Sequence, residues 1–170
     1  SGTYYINKNG QAVHGWKKIG SEYYYFDREN GKMSVSSRID GIKIQADGTA
    51  KQTEENVSKI QTMIKARAVV DQITDPTDSK SQKIEKCFRW VLQFPYRRYR
   101  RLKPIYRQPG WEITFANDIF DHHQGCCVSE ASAVAFLFHE CGYQTVYVAC
   151  DTGHAWVELN GRVYDPKSVV

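Results

Sequence analysis

The apolar positions change period along the chain. In ENVSKIQTMIKARAVVDQI, residues 55–73, Val57, Ile60, Ile64 and Ala68 recur at helical spacing, and Asp75-Pro76-Thr77-Asp78 ends that helix and offers the next cap. A second helix is predicted over SQKIEKCFRWVLQF, with Ile84, Phe88, Val91 and Leu92 on one face and a stop at Pro95. A third runs over about 128–141: Ala131, Val134, Ala135 and Phe138 continue the face of Cys127, and Gly142 is its terminator. After it Val146 and Val148 suggest a strand, DTG at 151–153 a turn, and HAWVEL and RVYD two strands joined by Asn160-Gly161. The first 50 residues follow another rule. YYINKNGQA at 4–12, YYFDRENGKM at 24–33 and IKIQADGTA at 42–50 each place β-prone residues before Asn-Gly or Asp-Gly, so a ladder of small hairpins spaced by roughly 20 residues is predicted.

Composition sharpens this division. Seven of the 22 aromatics, Tyr4, Tyr5, Trp16, Tyr23, Tyr24, Tyr25 and Phe26, lie in the first 26 positions. The net charge of +4 is local, since Arg97, Arg98, Arg100, Arg101, Lys103 and Arg107 fall in one aromatic, basic run, YRRYRRLKPIYR. That run is read as a solvated connector; attraction to an anionic polymer is the alternative, and nothing else suggests nucleic acid. No stretch approaches the ~18 apolar residues of a membrane span. Five cysteines is an odd number, so at least one free thiol is expected. Cys87, Cys141 and Cys150 are read as small buried hydrophobes, with a disulfide as the lesser alternative, and Cys126 is given no role.

GWKKIGSEYYYFDRENGKM at 15–33 resembles the cell-wall-binding repeat, in the family of choline-binding and glucan-binding repeats of secreted Gram-positive proteins. The resemblance covers about 45 residues, and the second unit departs from it because SVSSRIDG at 34–41 lacks Gly-Trp. It implies that Trp16, Tyr24 and Tyr25 contact choline or sugar of a wall polymer such as teichoic acid by cation-π and stacking interactions. The alternative is that these rings only pack hairpin on hairpin. Either way the module argues for an extracellular, cell-wall-associated protein.

The chemistry lies in the remainder. Cys127 sits in the first turn of a helix, where backbone N–H groups and the helix dipole favour a thiolate, the nucleophilic form. If Asn160-Gly161 is a two-residue type I′ turn, facing positions sum to 321 and Asp165 lies opposite Trp156. His154 and Asp165 are then diagonal neighbours on one face, within reach of an imidazole–carboxylate hydrogen bond. Glu158, on the same face, is the reserve partner.

GCCVSEASAVAFLFHECGY, GHAWVELNG and VYDP together resemble the transglutaminase-like superfamily of papain-type cysteine acyltransferases and proteases, over about residues 80–167. The family spacing, Gly-x-Cys with Ala four and Gly fifteen residues later, selects Cys127 rather than Cys126. The resemblance implies an α+β fold, with a papain-like transglutaminase core of N-terminal helices and an antiparallel sheet at 51–170 and the hairpin repeats at 1–50. It implies a Cys127, His154 and Asp165 triad acting on peptide or glutamine amides through a thioester. Hydrolysis is favoured over cross-linking because excluding water needs an enclosed acceptor channel. Gln124 and Trp111 are the candidate second oxyanion donors. No cofactor is expected.

Two other classes compete. A metal site would use His122, His123, Cys126 and Cys127, but adjacent pairs cannot easily point four ligands at one tetrahedral centre, and no metal is expected. A wall-anchored binding protein on a degenerate papain-like fold would grip a peptide or glycan without cutting it.

Overall fold

The computed structural model describes residues 2–98, 100–102, 105, 108–144, 146–150 and 154–166. The chain divides into two compact units, residues 1–64 and 65–170.

In the first unit β1 (Gly15–Ile19) pairs antiparallel with β2 (Glu22–Phe26), and β3 (Ser37–Ile39) with β4 (Ile42–Ile44). Gly20 at φ 63 turns the first hairpin; Asp40 at φ 53 and Gly41 at φ 78 turn the second. These are turns between the repeats, not the expected ones within them. The Asn-Gly and Asp-Gly loops exist, but each closes on a single bridge: Ile6 with Ala12, Phe26 with Met33, Ile44 with Ala50. The reason is side-chain competition. Asn7 Oδ1 accepts from the Asn9 and Gln11 amides, and Asp27 Oδ1 from Glu29 and Asn30, taking the donors that a two-residue hairpin would give to its opposite strand. Successive repeats are stitched by backbone bonds, Met33 N–H to Thr3 O and Ala50 N–H to Tyr23 O. Trp16, Tyr23, Tyr25, Phe26, Ile42 and Ile44 are buried.

Helix α1 (Glu54–Ile73) begins with Thr53 Oγ1 accepting the Asn56 amide. Its buried face is Ile60, Met63, Ala66 and Val70 rather than the expected stripe; Ala68 is exposed, and Val57 and Ile64 are half-buried. Two apolar stripes overlap in this segment and share Ile60. The one carrying Met63 and Val70 is the buried one, and Thr62 is buried beside it because its hydroxyl donates to Ser58 O.

The second unit holds α2 (Lys80–Leu92), α3 (Trp111–His122), α4 (Cys127–Glu140) and an antiparallel sheet of β5 (Tyr147–Cys150), β6 (Ala155–Leu159) and β7 (Arg162–Tyr164) in that order. This is an α+β arrangement. Helix α2 starts at Ser79, not within Asp75–Asp78, because Ser79 and Gln82 form a reciprocal capping box at 3.1 and 2.8 Å. Helix α3 was not expected. It starts after Gly110 without a side-chain cap and ends on His123 at φ 54, so the usual boundary residues are missing although Ile113, Ala116 and Ile119 are buried. His122 therefore ends a helix rather than lying in a loop. Helix α4 is buried on nearly every side and packs against α2, α3 and β6. The turn expected at 151–153 lies outside the described residues, as do Tyr99, Lys103, Tyr106 and Arg107 of the basic run. No helix among the described residues is long and apolar enough to cross a membrane.

Candidate functional site

The β6–β7 hairpin turns on Asn160 at φ 50 and Gly161 at φ 78, both in the left-handed region that a type I′ turn requires. Its register pairs Val157 with Tyr164, Glu158 with Val163 and Leu159 with Arg162, the same sum of positions that the sequence predicts. Tyr164 is anchored by edge-on contacts with Phe138 at 4.9 Å and Phe88 at 5.6 Å, which holds the end of β7 against α4 and α2. One residue further, both oxygens of Asp165 lie against His154 Nε2, at 2.7 and 2.8 Å. With Nε2 engaged, the buried Nδ1 is the ring nitrogen that can exchange a proton with a thiol. Glu158 is committed elsewhere, accepting the Trp156 indole N–H at 3.0 Å.

Cys127 is the first residue of α4 and Cys126 its N-cap, both nearly closed to solvent at 5% and 2% exposed. The cap is built on sulfur: the Ser129 amide donates to Cys126 Sγ, and Ser129 Oγ accepts the Cys126 amide at 3.3 Å. The hydrogen bond from the Cys127 thiol, helped by the Ser129 and Val128 amides and opposed by burial, pulls the Cys126 thiol down to about 5. The helix cap and the neighbouring thiol thus both favour the anionic form of Cys126. The sequence reading gave Cys126 no role. The signal was present in its N-cap position, one residue before the first free amides of the helix.

A buried carboxylate supports this helix end. Asp118 of α3 takes a two-pronged bond from Arg100, Nη2 to Oδ1 at 2.5 Å and Nε to Oδ2 at 3.1 Å, and also accepts the Ser129 hydroxyl at 3.1 Å. The start of the basic run lies alongside: Tyr96 bridges Gly125, and the Arg97 amide donates to Gly125 O at 2.7 Å. Arg97 Nη1 also reaches Gln124 Oε1 at 3.5 Å, so the donor end of the Gln124 amide is Nε2. Trp111 opens α3 and meets Phe115 edge on. The described contacts thus join His154, just before β6, to Asp165, just after β7, and Cys127 to Cys126 at the start of α4. His123 stacks on Phe94 at 4.7 Å, and among the described residues no three His, Cys, Asp or Glu side chains gather as a metal site.

In the first unit Trp16 and Tyr25 are core residues, 2% and 6% exposed, with ring centroids 5.2 Å apart; of the three expected ligand residues Tyr24 keeps open surface. Both polar edges are used internally. Trp16 Nε1 donates to Asp40 Oδ2 at 2.8 Å, Arg28 Nη2 donates to the same oxygen at 3.1 Å, and Arg28 Nη1 donates to the Tyr25 hydroxyl at 3.2 Å. The Arg28 guanidinium also lies 5.1 Å over the Tyr25 ring, Lys17 4.9 Å over Tyr5 and Lys18 5.8 Å over Tyr23. The chain's own cations therefore already face these aromatic surfaces.

Residues 14–33 match the putative cell wall binding repeat. That span covers β1, its turn, β2 and the Asn30-Gly31 loop. Among solved structures, the choline binding domain of Spr1274 in Streptococcus pneumoniae shares 24% identity over 29% of this chain and 80% of that one, with a TM-score of 0.27. CbpF in complex with ipratropium shares 25% identity over 29% of this chain and 22% of that one, with a TM-score of 0.18. No curated protein matches this chain.

Proposed function

We propose that the chain is a cell-wall-associated protein whose repeat region binds a wall polymer and whose residues 65–170 are a papain-like, transglutaminase-like cysteine enzyme acting on peptide amides. The observation that carries the enzymatic reading is the His154–Asp165 pair, an imidazole held by a carboxylate at 2.7 and 2.8 Å in the same unit as the helix that begins at Cys127. His154 takes the Cys127 thiol proton on Nδ1 as the sulfur attacks the amide carbonyl, then returns that proton to the leaving amine, and the C–N bond breaks to leave a thioester. Asp165 orients the imidazole and stabilises its charged form. Water, activated by the same histidine, then releases the acid. The Cys127 backbone amide and the Gln124 side chain are the oxyanion donors in this reading. Incubating wild type and Cys127→Ala with a peptide library, with and without a primary amine, tests it. Cleaved or amine-linked peptides from wild type alone support the reading, and equal silence from both proteins sinks it.

The second reading is a wall-anchored binding protein that grips choline, glycan or peptide without cutting it. The repeat match favours it, as does the near closure of both thiols to solvent. In this reading ligand contact falls on Tyr24, since Trp16 and Tyr25 are closed by Arg28 and Asp40. Retention on choline-bearing walls that is lost in Tyr24→Ala, without any turnover of wall peptides, would select it.

A further inference from the structure

Away from the thiol pair at the start of α4, its other end meets a second cysteine. Cys141 is the C-cap of α4 and half-buried, Cys87 lies fully buried in α2, and their sulfur atoms are 3.6 Å apart across 54 residues of chain. A disulfide requires about 2.05 Å, so closing it asks the two sulfur atoms to approach by ~1.5 Å. The surroundings favour attack by Cys141. The hydrogen bond from Cys87, with Arg67 and Lys83 nearby, lowers the Cys141 thiol, while the same bond and burial raise that of Cys87. The more exposed sulfur is thus also the better nucleophile.

We infer that Cys87 and Cys141 close into a disulfide that staples α2 to the C-terminal end of α4 when the chain meets a small-molecule disulfide, leaving as thiols Cys150 and the pair Cys126 and Cys127, whose 2% and 5% exposure closes them to a reagent of that size. The exchange balances. Cys141 thiolate attacks one sulfur of the external disulfide, forming a mixed disulfide and expelling one thiolate. Cys87 then attacks Cys141 Sγ and expels the second thiolate, and the two protons of the protein thiols end on the two released thiols. The protein pair is oxidised and the external disulfide reduced, with no other reactant.

Residues 127 and 141 mark opposite ends of the helix, about 20 Å apart at 1.5 Å per residue, so the staple leaves the proposed nucleophile untouched. This inference therefore stands apart from the enzymatic reading. The test uses the whole reduced chain incubated with oxidised glutathione. The product should be about 2 Da lighter and titrate three thiols instead of five. A non-reducing digest should contain one linked peptide pair, bearing Cys87 and Cys141. Its Tm should rise by ~5 °C over reduced wild type, a gain that Cys141→Ser should not show. Five titratable thiols after prolonged incubation, or a linkage through Cys126, Cys127 or Cys150, would overturn it. A changed alkylation rate at Cys127 on oxidation would contradict the separation of the two helix ends.

Discussion

Each unit buries a carboxylate against an arginine and a third donor, and the outcomes differ. In residues 1–64 Asp40 is held by Arg28 and the Trp16 indole, and the effect is closure: the carboxylate, the guanidinium and two aromatic rings satisfy one another. In residues 65–170 Asp118 is held by Arg100 and the Ser129 hydroxyl, and the bond runs onward through Ser129 to the amide of Cys126. The described bonds of the first carboxylate hold aromatic core residues, whereas those of the second pass orientation to a helix start that carries two thiols. A buried ion pair alone therefore says nothing about function. What its third partner touches decides whether it is mortar or a positioning device.

Substitutions that separate the two cases can be ordered by size. Cys127→Ala should reduce peptide turnover by ~10⁴-fold, read in a product-formation assay, while leaving retention on isolated walls unchanged. Asp165→Asn should lower turnover by ~10³-fold with the fold intact, because the imidazole loses its orienting partner; a drop smaller than tenfold would argue that the His154 pair is only structural. Arg28→Ala should cost about 3 kcal/mol in urea denaturation because Asp40 loses its cation, with little effect on thiol alkylation. Gly125→Ala drives a Cβ into the Ser129 side chain, so it should cost about 2 kcal/mol and slow alkylation of the pair at 126–127.

The pH dependence sharpens the same contrast. The Cys126 thiol is depressed from its ordinary 9.0 to about 5, so the thiolate is present above about 5 and is lost as pH falls through that value. Iodoacetamide labelling of the pair should therefore persist at pH 6 and fall away as pH drops through about 5. Because the folded value lies below the unfolded one, the same group contributes stability at alkaline pH that declines as pH falls from 9.0 towards about 5.

Legibility followed the distance over which each feature is decided. The His154–Asp165 juxtaposition was readable because a two-residue turn determines the register by local geometry. The limits of α4 were readable from Cys127 and Gly142. Helix α3 was not, since Gly110 and His123 bound it in place of capping side chains, and the Arg100–Asp118–Ser129 chain joins three separate segments. In the repeats the turns were found but their roles were exchanged, because Asn7 and Asp27 divert the donors that a ladder would use. Cys150 is exposed and Cys141 half-buried, against the expectation of buried thiols, since Cys150 ends β5 and Cys141 lies beyond the last turn of α4.

The Asn160-Gly161 turn has a genetic consequence. Side chains alternate across a strand, so an inserted codon that slid β7 by one place would carry Asp165 to the opposite side of the sheet. Every residue of the pair would still be encoded, and the pair would be gone. Lineages that use His154 and Asp165 together should tolerate many spellings of the neighbouring strands but no change in the length of this loop.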